Sequence, residues 1–104
     1  MSWQEIHERL LAEDPEMRAE YERLRPRYEF LSAVIGARAK LGWTQRDLAE
    51  VVGVSQSVIA RLESGNHDPR FGTMVAVCQA LGLQLKAGSN TMVAKGTPPK
   101  RRSA

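Results

Sequence analysis

The sequence predicts an all-α protein: a helical extension, then a helical domain with a single core, then a short strand. Three observations carry that expectation. Apolar residues recur at spacings of three and four along most of the chain. Gly42, Gly53, Gly65 and Gly82 each close one such run, where a helix needs a left-handed stop. Only Leu83–Ala87 alternates apolar with polar residues as a strand does. With 104 residues, 42% of them hydrophobic and 26% charged, the chain suits one core and has the composition of a folding sequence.

Taken in order, Ser2 and Glu5 form a capping-box pattern ahead of a face carrying Trp3, Ile6, Leu10 and Leu11. Asp14 and Pro15 suit the cap and first position of a second helix, with Met17, Tyr21 and Leu24 along one side. Pro26 has no N–H to donate and crowds the preceding turn, so it either kinks this helix or opens the next, and a new start is the favoured expectation. That helix carries Phe30, Leu31, Val34, Ile35, the Arg38 stem and Leu41, and ends at Gly42. Thr44, with Asp47 three residues on, caps a helix bearing Leu48, Ala49 and Val52 that stops at Gly53. Ser55 caps the next, which carries Val58, Ile59 and Leu62 and ends at Gly65.

Asn66-His67-Asp68-Pro69 is a turn by composition. Phe71, Met74, Val75, Val77, Cys78 and Leu81 then predict a helix buried on most sides. The strand over Leu83, Leu85 and Ala87 needs a partner, which another copy of the chain can supply. From Gly88 onward no periodicity is present, and the segment ending in Lys100-Arg101-Arg102 reads as a disordered basic tail. The expected division is residues 1–25 as the extension, 26–87 as the domain and 88–104 as the tail.

The net charge of +3 hides an asymmetry. Residues 1–24 hold seven acids against three bases, whereas residues 25–104 hold twelve bases against five acids. A basic body favours a polyanion, because each phosphate neutralised releases counterions, and an acidic leader fits a different partner. The lone Cys78 excludes an internal disulfide, and His7 and His67 have no neighbours at zinc-ligand spacing. No apolar run approaches a membrane span and no signal-peptide pattern opens the chain, so a cytoplasmic protein is expected. Paired carboxylates, an activated nucleophile, a phosphate-binding glycine loop and a metal cluster are all missing from the sequence, which argues against an enzyme and against a cofactor.

Two short helices joined through a turn at Val52–Val54 form the unit that sets a recognition helix into the DNA major groove. Gly53 allows the turn, Ala49 lets the helices cross closely, and Ile59 and Leu62 point inward. Left outward on the second helix are Gln56, Ser57, Ala60 and Arg61, with Ser55 at its start. Glutamine can pair bidentately with adenine and arginine with guanine. Thr44, Gln45 and Arg46 are placed to hold a phosphate at the start of the first helix, and Asn66, His67 and Arg70 to do so on the far side.

The stretch from Trp43 to Gly65 closely resembles the XRE family of Cro and cI-type repressors, through Thr44-Gln45 with Leu48-Ala49, then Gly53-Val54-Ser55, then Arg61-Leu62-Glu63 with Gly65. The resemblance covers about Tyr28 to Leu85. It implies a five-helix lambda-repressor-like fold, a homodimer, a palindromic operator in double-stranded DNA, and a buried pair between Arg38 and Glu63. Arg70 departs from the pattern, standing where the family prefers a small capping residue. The leader from Asp14-Pro15-Glu16 to Arg25-Pro26-Arg27-Tyr28 resembles HigA-type antitoxins. That resemblance implies an antitoxin that neutralises a RelE/HigB-like ribonuclease toxin and represses its own operon. A phage-type Cro/cI-like regulator without a toxin is the alternative.

Trp3, Ile6, Leu10, Met17 and Tyr21 have two readings, as packing residues or as a toxin-facing stripe. Trp43 is expected to pack, Cys78 to be a small buried apolar residue, and His7 and His67 to be solvated.

Overall fold

The computed structural model describes residues 2–100, the side chain of Trp3 excepted, so Arg101 and Arg102 of the basic tail lie outside the described residues. Five helices and a two-stranded hairpin follow one another, and the chain divides into two compact units between Phe30 and Leu31.

The first unit contains α1 (Trp3–Leu11) and the start of α2 (Pro15–Leu41). Ser2 Oγ accepts from the Glu5 amide at 3.1 Å, and Asp14 Oδ1 accepts from the amides of Glu16 and Met17 at 3.1 and 3.2 Å. Both are side-chain caps on otherwise orphaned helix donors. The reversal between the helices runs through Glu13, which takes a left-handed φ of 58°. Ile6 and Met17 are buried, whereas Leu11 is exposed.

The expected helix start at Pro26 gives way to one continuous helix of 27 residues with Pro26 inside it. Local support on both sides recovers only a small part of the cost of the lost hydrogen bond. Arg25 pairs with Glu22 at 3.7 Å and with Glu29 at 3.2 Å, so two ion pairs bracket the proline on the helix surface. The division between the two compact units falls inside α2.

The second unit contains the rest of α2, α3 (Gln45–Val52), α4 (Gln56–Ser64), α5 (Phe71–Leu81), β1 (Leu85–Ala87) and β2 (Asn90–Val93). α3 packs on both α4 and α5, and α5 packs on β2. Val34, Trp43, Leu48, Ile59, Leu62, Val77, Cys78, Leu81 and Val93 are buried between them. Burial pushes the Cys78 thiol above its usual range, so it is neutral apolar filling. Phe71 is not part of this core: as the first residue of α5 it stays 53% exposed.

The strand's partner is supplied by the same chain. β1 pairs antiparallel with β2, Ala87 opposite Asn90, across a two-residue loop of Gly88 and Ser89. Gly88 holds φ 61° at the first loop position, where a type II′ turn calls for glycine and gives the twist that strands need. The segment expected to be disordered from residue 88 is therefore ordered through the hairpin. Val93 buries itself, and the Gly96 amide donates to the Gly82 carbonyl at 3.3 Å. Gly82 has φ 71°, and a Cβ there would lie 2.3 Å from the Gly96 oxygen, so only glycine fits the crossing.

Candidate nucleic-acid interface

The turn between α3 and α4 is built on Gly53, whose φ of 86° lets its own amide and that of Val54 both reach the Ala49 carbonyl, at 2.8 and 3.0 Å. This pair of hydrogen bonds to one carbonyl ends α3 abruptly and turns the chain into α4. Ile59 and Leu62 on α4 face the core, fully and nearly fully buried. On the opposite side Gln56, Ser57, Ala60 and Arg61 are exposed. Burial of one side fixes the rotation of the helix and therefore which side is offered to a partner.

The two helix starts differ. At α3, Asp47 N–H donates to Thr44 Oγ1 at 3.0 Å and Thr44 N–H to Asp47 Oδ2 at 2.8 Å, a complete capping box. The Thr44 hydroxyl keeps its proton for an outside acceptor. At α4, Ser55 holds the cap position but makes no cap hydrogen bond; its Oγ lies 3.1 Å from Ser57 Oγ. The expected Ser55 cap is thus missing, and the first-turn amides of α4 carry no side-chain cap.

A part-buried ion pair fastens α2 to α4. Arg38 Nε and Nη2 donate to the two Glu63 oxygens at 2.8 Å each, and Nη1 donates to the Trp43 carbonyl at 2.8 Å. The side chains are 18% and 5% exposed. The hydrogen bonds to Glu63 raise the Arg38 guanidinium further above its usual range despite its desolvation. Gln45 Nε2 also donates to Glu63 Oε1, at 3.2 Å. Gln45 is therefore tied to the internal pair, with one amide proton and its carbonyl oxygen left over. Arg46 reaches Glu50 only at 3.6 Å and is 77% exposed, so that contact holds it weakly.

Beyond α4 the chain turns through Gly65, with Ser64 Oγ donating to the Arg61 carbonyl at 2.7 Å and accepting from the Asn66 amide at 3.3 Å. Arg70 occupies the cap position of α5 without capping it, since a guanidinium has no acceptor. A cleft of about 460 Å³ opens here, with Val54, Val58, Arg61 and Leu62 on one side and His67, Asp68, Pro69, Arg70 and Thr73 on the other. Arg61, His67 and Arg70 are exposed, and their side chains make no hydrogen bond or ion pair among the described residues. The fold thus gathers Arg61, His67 and Arg70 around one cleft, while Thr44, Gln45 and Arg46 stand at the start of α3. Sequence reading missed both the cleft and the Gln45 tie, which depend on how separate elements meet.

Among the described residues, no group of three His, Cys, Asp or Glu side chains is placed to hold a metal ion. No helix there is long and apolar enough to cross a membrane.

Two crossed short helices, a glycine turn and a polar outward face on the second helix define a helix-turn-helix DNA-binding domain. The chain belongs to the XRE-type helix-turn-helix family, whose pattern it matches over residues 36–87. It is similar to an uncharacterised HTH-type transcriptional regulator of Haemophilus influenzae, with 29% identity over 84 residues, 81% of each chain. It is also similar to the uncharacterised HTH-type transcriptional regulator YgzD of Bacillus subtilis, with 31% identity over 49 residues, 47% of this chain and 74% of that one. No solved structure matches it.

Proposed function

We propose that this protein is a sequence-specific transcriptional repressor that reads its operator with α4. The observation carrying the reading is the exposed set Gln56, Ser57 and Arg61 on the side of α4 opposite the buried Ile59 and Leu62. Gln56 and Arg61 are the base-reading groups, each bidentate pair giving about 1–3 kcal/mol of discrimination. Thr44, Arg46 and the uncapped amides at Ser55 serve the phosphate backbone on one side, with the remaining Gln45 proton directed there too. Asn66, His67 and Arg70 serve it on the other side. Two copies bind a palindromic site, so that each half-site receives one α4.

Binding to DNA from upstream of its own gene, followed by fluorescence anisotropy across a salt series, tests the reading. A steep negative slope of log affinity against log salt is expected, together with preference over scrambled DNA. The Gln56→Ala, Arg61→Ala double variant is expected to lose that preference while keeping its melting temperature. If the variant still prefers the operator, α4 is not the reading helix.

The second part of the proposal is that the protein is an antitoxin of the HigA type, in which the acidic first unit binds a basic ribonuclease toxin of the RelE/HigB kind. Support comes from the leader being a compact unit of its own with acids in excess. Its apolar stripe is a weaker candidate contact than its charges, because Ile6 and Met17 are buried. Co-expression with the neighbouring gene should yield a complex that the double variant retains. Purification of the protein alone would leave the repressor reading without a toxin.

A further inference from the structure

The cleft beside α4 has a wall that a DNA backbone does not need. Phosphate contacts call for cations and hydrogen-bond donors. Here Val54, Val58 and Leu62, half-buried to buried, form an apolar side, and the two guanidinium groups of Arg61 and Arg70 and the His67 imidazole stand exposed at the edge. Their freedom from partners among the described residues leaves the edge electrostatically open to an anion. A volume of about 460 Å³ lies within the range of small-molecule sites, which combine an apolar lining with a few convergent polar groups.

We infer that this cleft binds a small amphipathic anion, an apolar body with a single carboxylate, sulfonate or phosphate head, and that the ligand competes with DNA for Arg61. Asp68 also lines the cleft, already engaged in an interaction of its own. The competition rests on the proposed reading of Arg61 as a base-contacting group, because one guanidinium cannot hold a ligand head and a base edge together. The cleft is then an effector site, and occupancy releases the operator. Linkage makes the effect reciprocal: operator binding lowers ligand affinity by the same factor.

The test uses the full chain with sodium octanoate as the probe, followed by amide shifts in NMR, and operator anisotropy at constant ionic strength. Octanoate is expected to shift residues 54–73 saturably and to weaken operator binding about tenfold at saturation, within the usual range of coupled sites. Arg70→Ala is expected to weaken octanoate binding about tenfold, as loss of a charged hydrogen-bond partner does. Val58→Phe, which fills the cleft, should weaken it as much; Arg70 is exposed, so its variant tests the site even where the larger side chain disturbs packing.

Absence of saturable octanoate binding overturns the inference. Octanol binding as tightly as octanoate overturns the anionic head, and inorganic phosphate binding as tightly overturns the apolar body and returns the cleft to the DNA backbone. Octanoate binding with no operator binding overturns the competition and the reading of α4 while the ligand site stands. Operator binding with no octanoate binding leaves the repressor and removes the effector.

Discussion

The two units treat their charges in opposite ways. Residues 1–30 hold eight acids and five bases, and arginines there are engaged on the surface, Arg9 with Asp14, Arg23 with Glu20, and Arg25 with Glu22 and Glu29. Residues 31–104 hold four acids and ten bases. There, Arg38 and Glu63 are drawn inside, while Arg61, His67 and Arg70 are left without partners among the described residues. Polar groups engaged within the chain set its shape, and those left over are available to something else. By that measure the first unit offers surplus carboxylates and the second offers unneutralised cations beside α4.

The largest expected effect lies at the inward pair. Glu63→Ala leaves the Arg38 guanidinium, 18% exposed, with only the Trp43 carbonyl, and frees Gln45 as well. A loss of about 3 kcal/mol is expected in urea unfolding, as for an uncompensated buried charge. Arg23→Ala, at a surface pair whose arginine is 68% exposed, should leave the midpoint where it was. Equal shifts for the two variants would erase the distinction between the units.

A somewhat smaller effect is expected at the crossing of α5 and the tail. Gly82→Ala meets two obstacles, a left-handed φ of 71° and the Gly96 oxygen 2.3 Å from the new Cβ. A cost of about 1–3 kcal/mol follows, with earlier proteolysis beyond Val93 as the tail is pushed off. Gly96→Ala is the control, since nothing lies within 4 Å of a Cβ there.

Thr44 and Ser55 sharpen the contrast within the second unit. Thr44→Ala removes half of a closed capping box and should cost about 1 kcal/mol of stability. Ser55 caps nothing, so Ser55→Ala should leave the melting temperature unchanged and weaken only operator binding. A stability loss at Ser55 would show that its hydroxyl holds the fold after all.

The helix limits at Thr44, Gly53, Gly65 and Gly82 were legible because caps and left-handed stops act within one turn of the chain. The outward face of α4 was legible from the period of Val58, Ile59 and Leu62. Pro26 misled because the helix continues through it, against a sound local rule, and the exposed pairs of Arg25 on either side are too weak to account for that alone. The hairpin was missed although Gly88-Ser89 is a turn signal, since the four residues of β2 are too few to show a period. What holds it, Val93 on the core and Gly96 across Gly82, is contact between distant positions. The Gln45 tie to Glu63 and the cleft between α4 and residues 67–70 have the same origin.

The smallest expected effect tests the surface pairing of the first unit by pH. The hydrogen bond from Arg9, then the amide of Met17, holds the Asp14 carboxyl below its ordinary value of 3.8. A carboxylate with a lowered folded pKa stabilises the folded state above its unfolded pKa, and that contribution fades as pH falls through the lowered value. Asp14→Asn keeps an acceptor for the amides of α2 and removes only the charge facing Arg9. The wild-type chain should therefore melt slightly above the variant at neutral pH, and the two should converge once the pH drops well below 3.8. Because the pair is solvent-exposed, the neutral difference should also shrink in high salt. A difference that persists in acid would assign the role of Asp14 to its cap geometry alone and remove this pair from the contrast between the units.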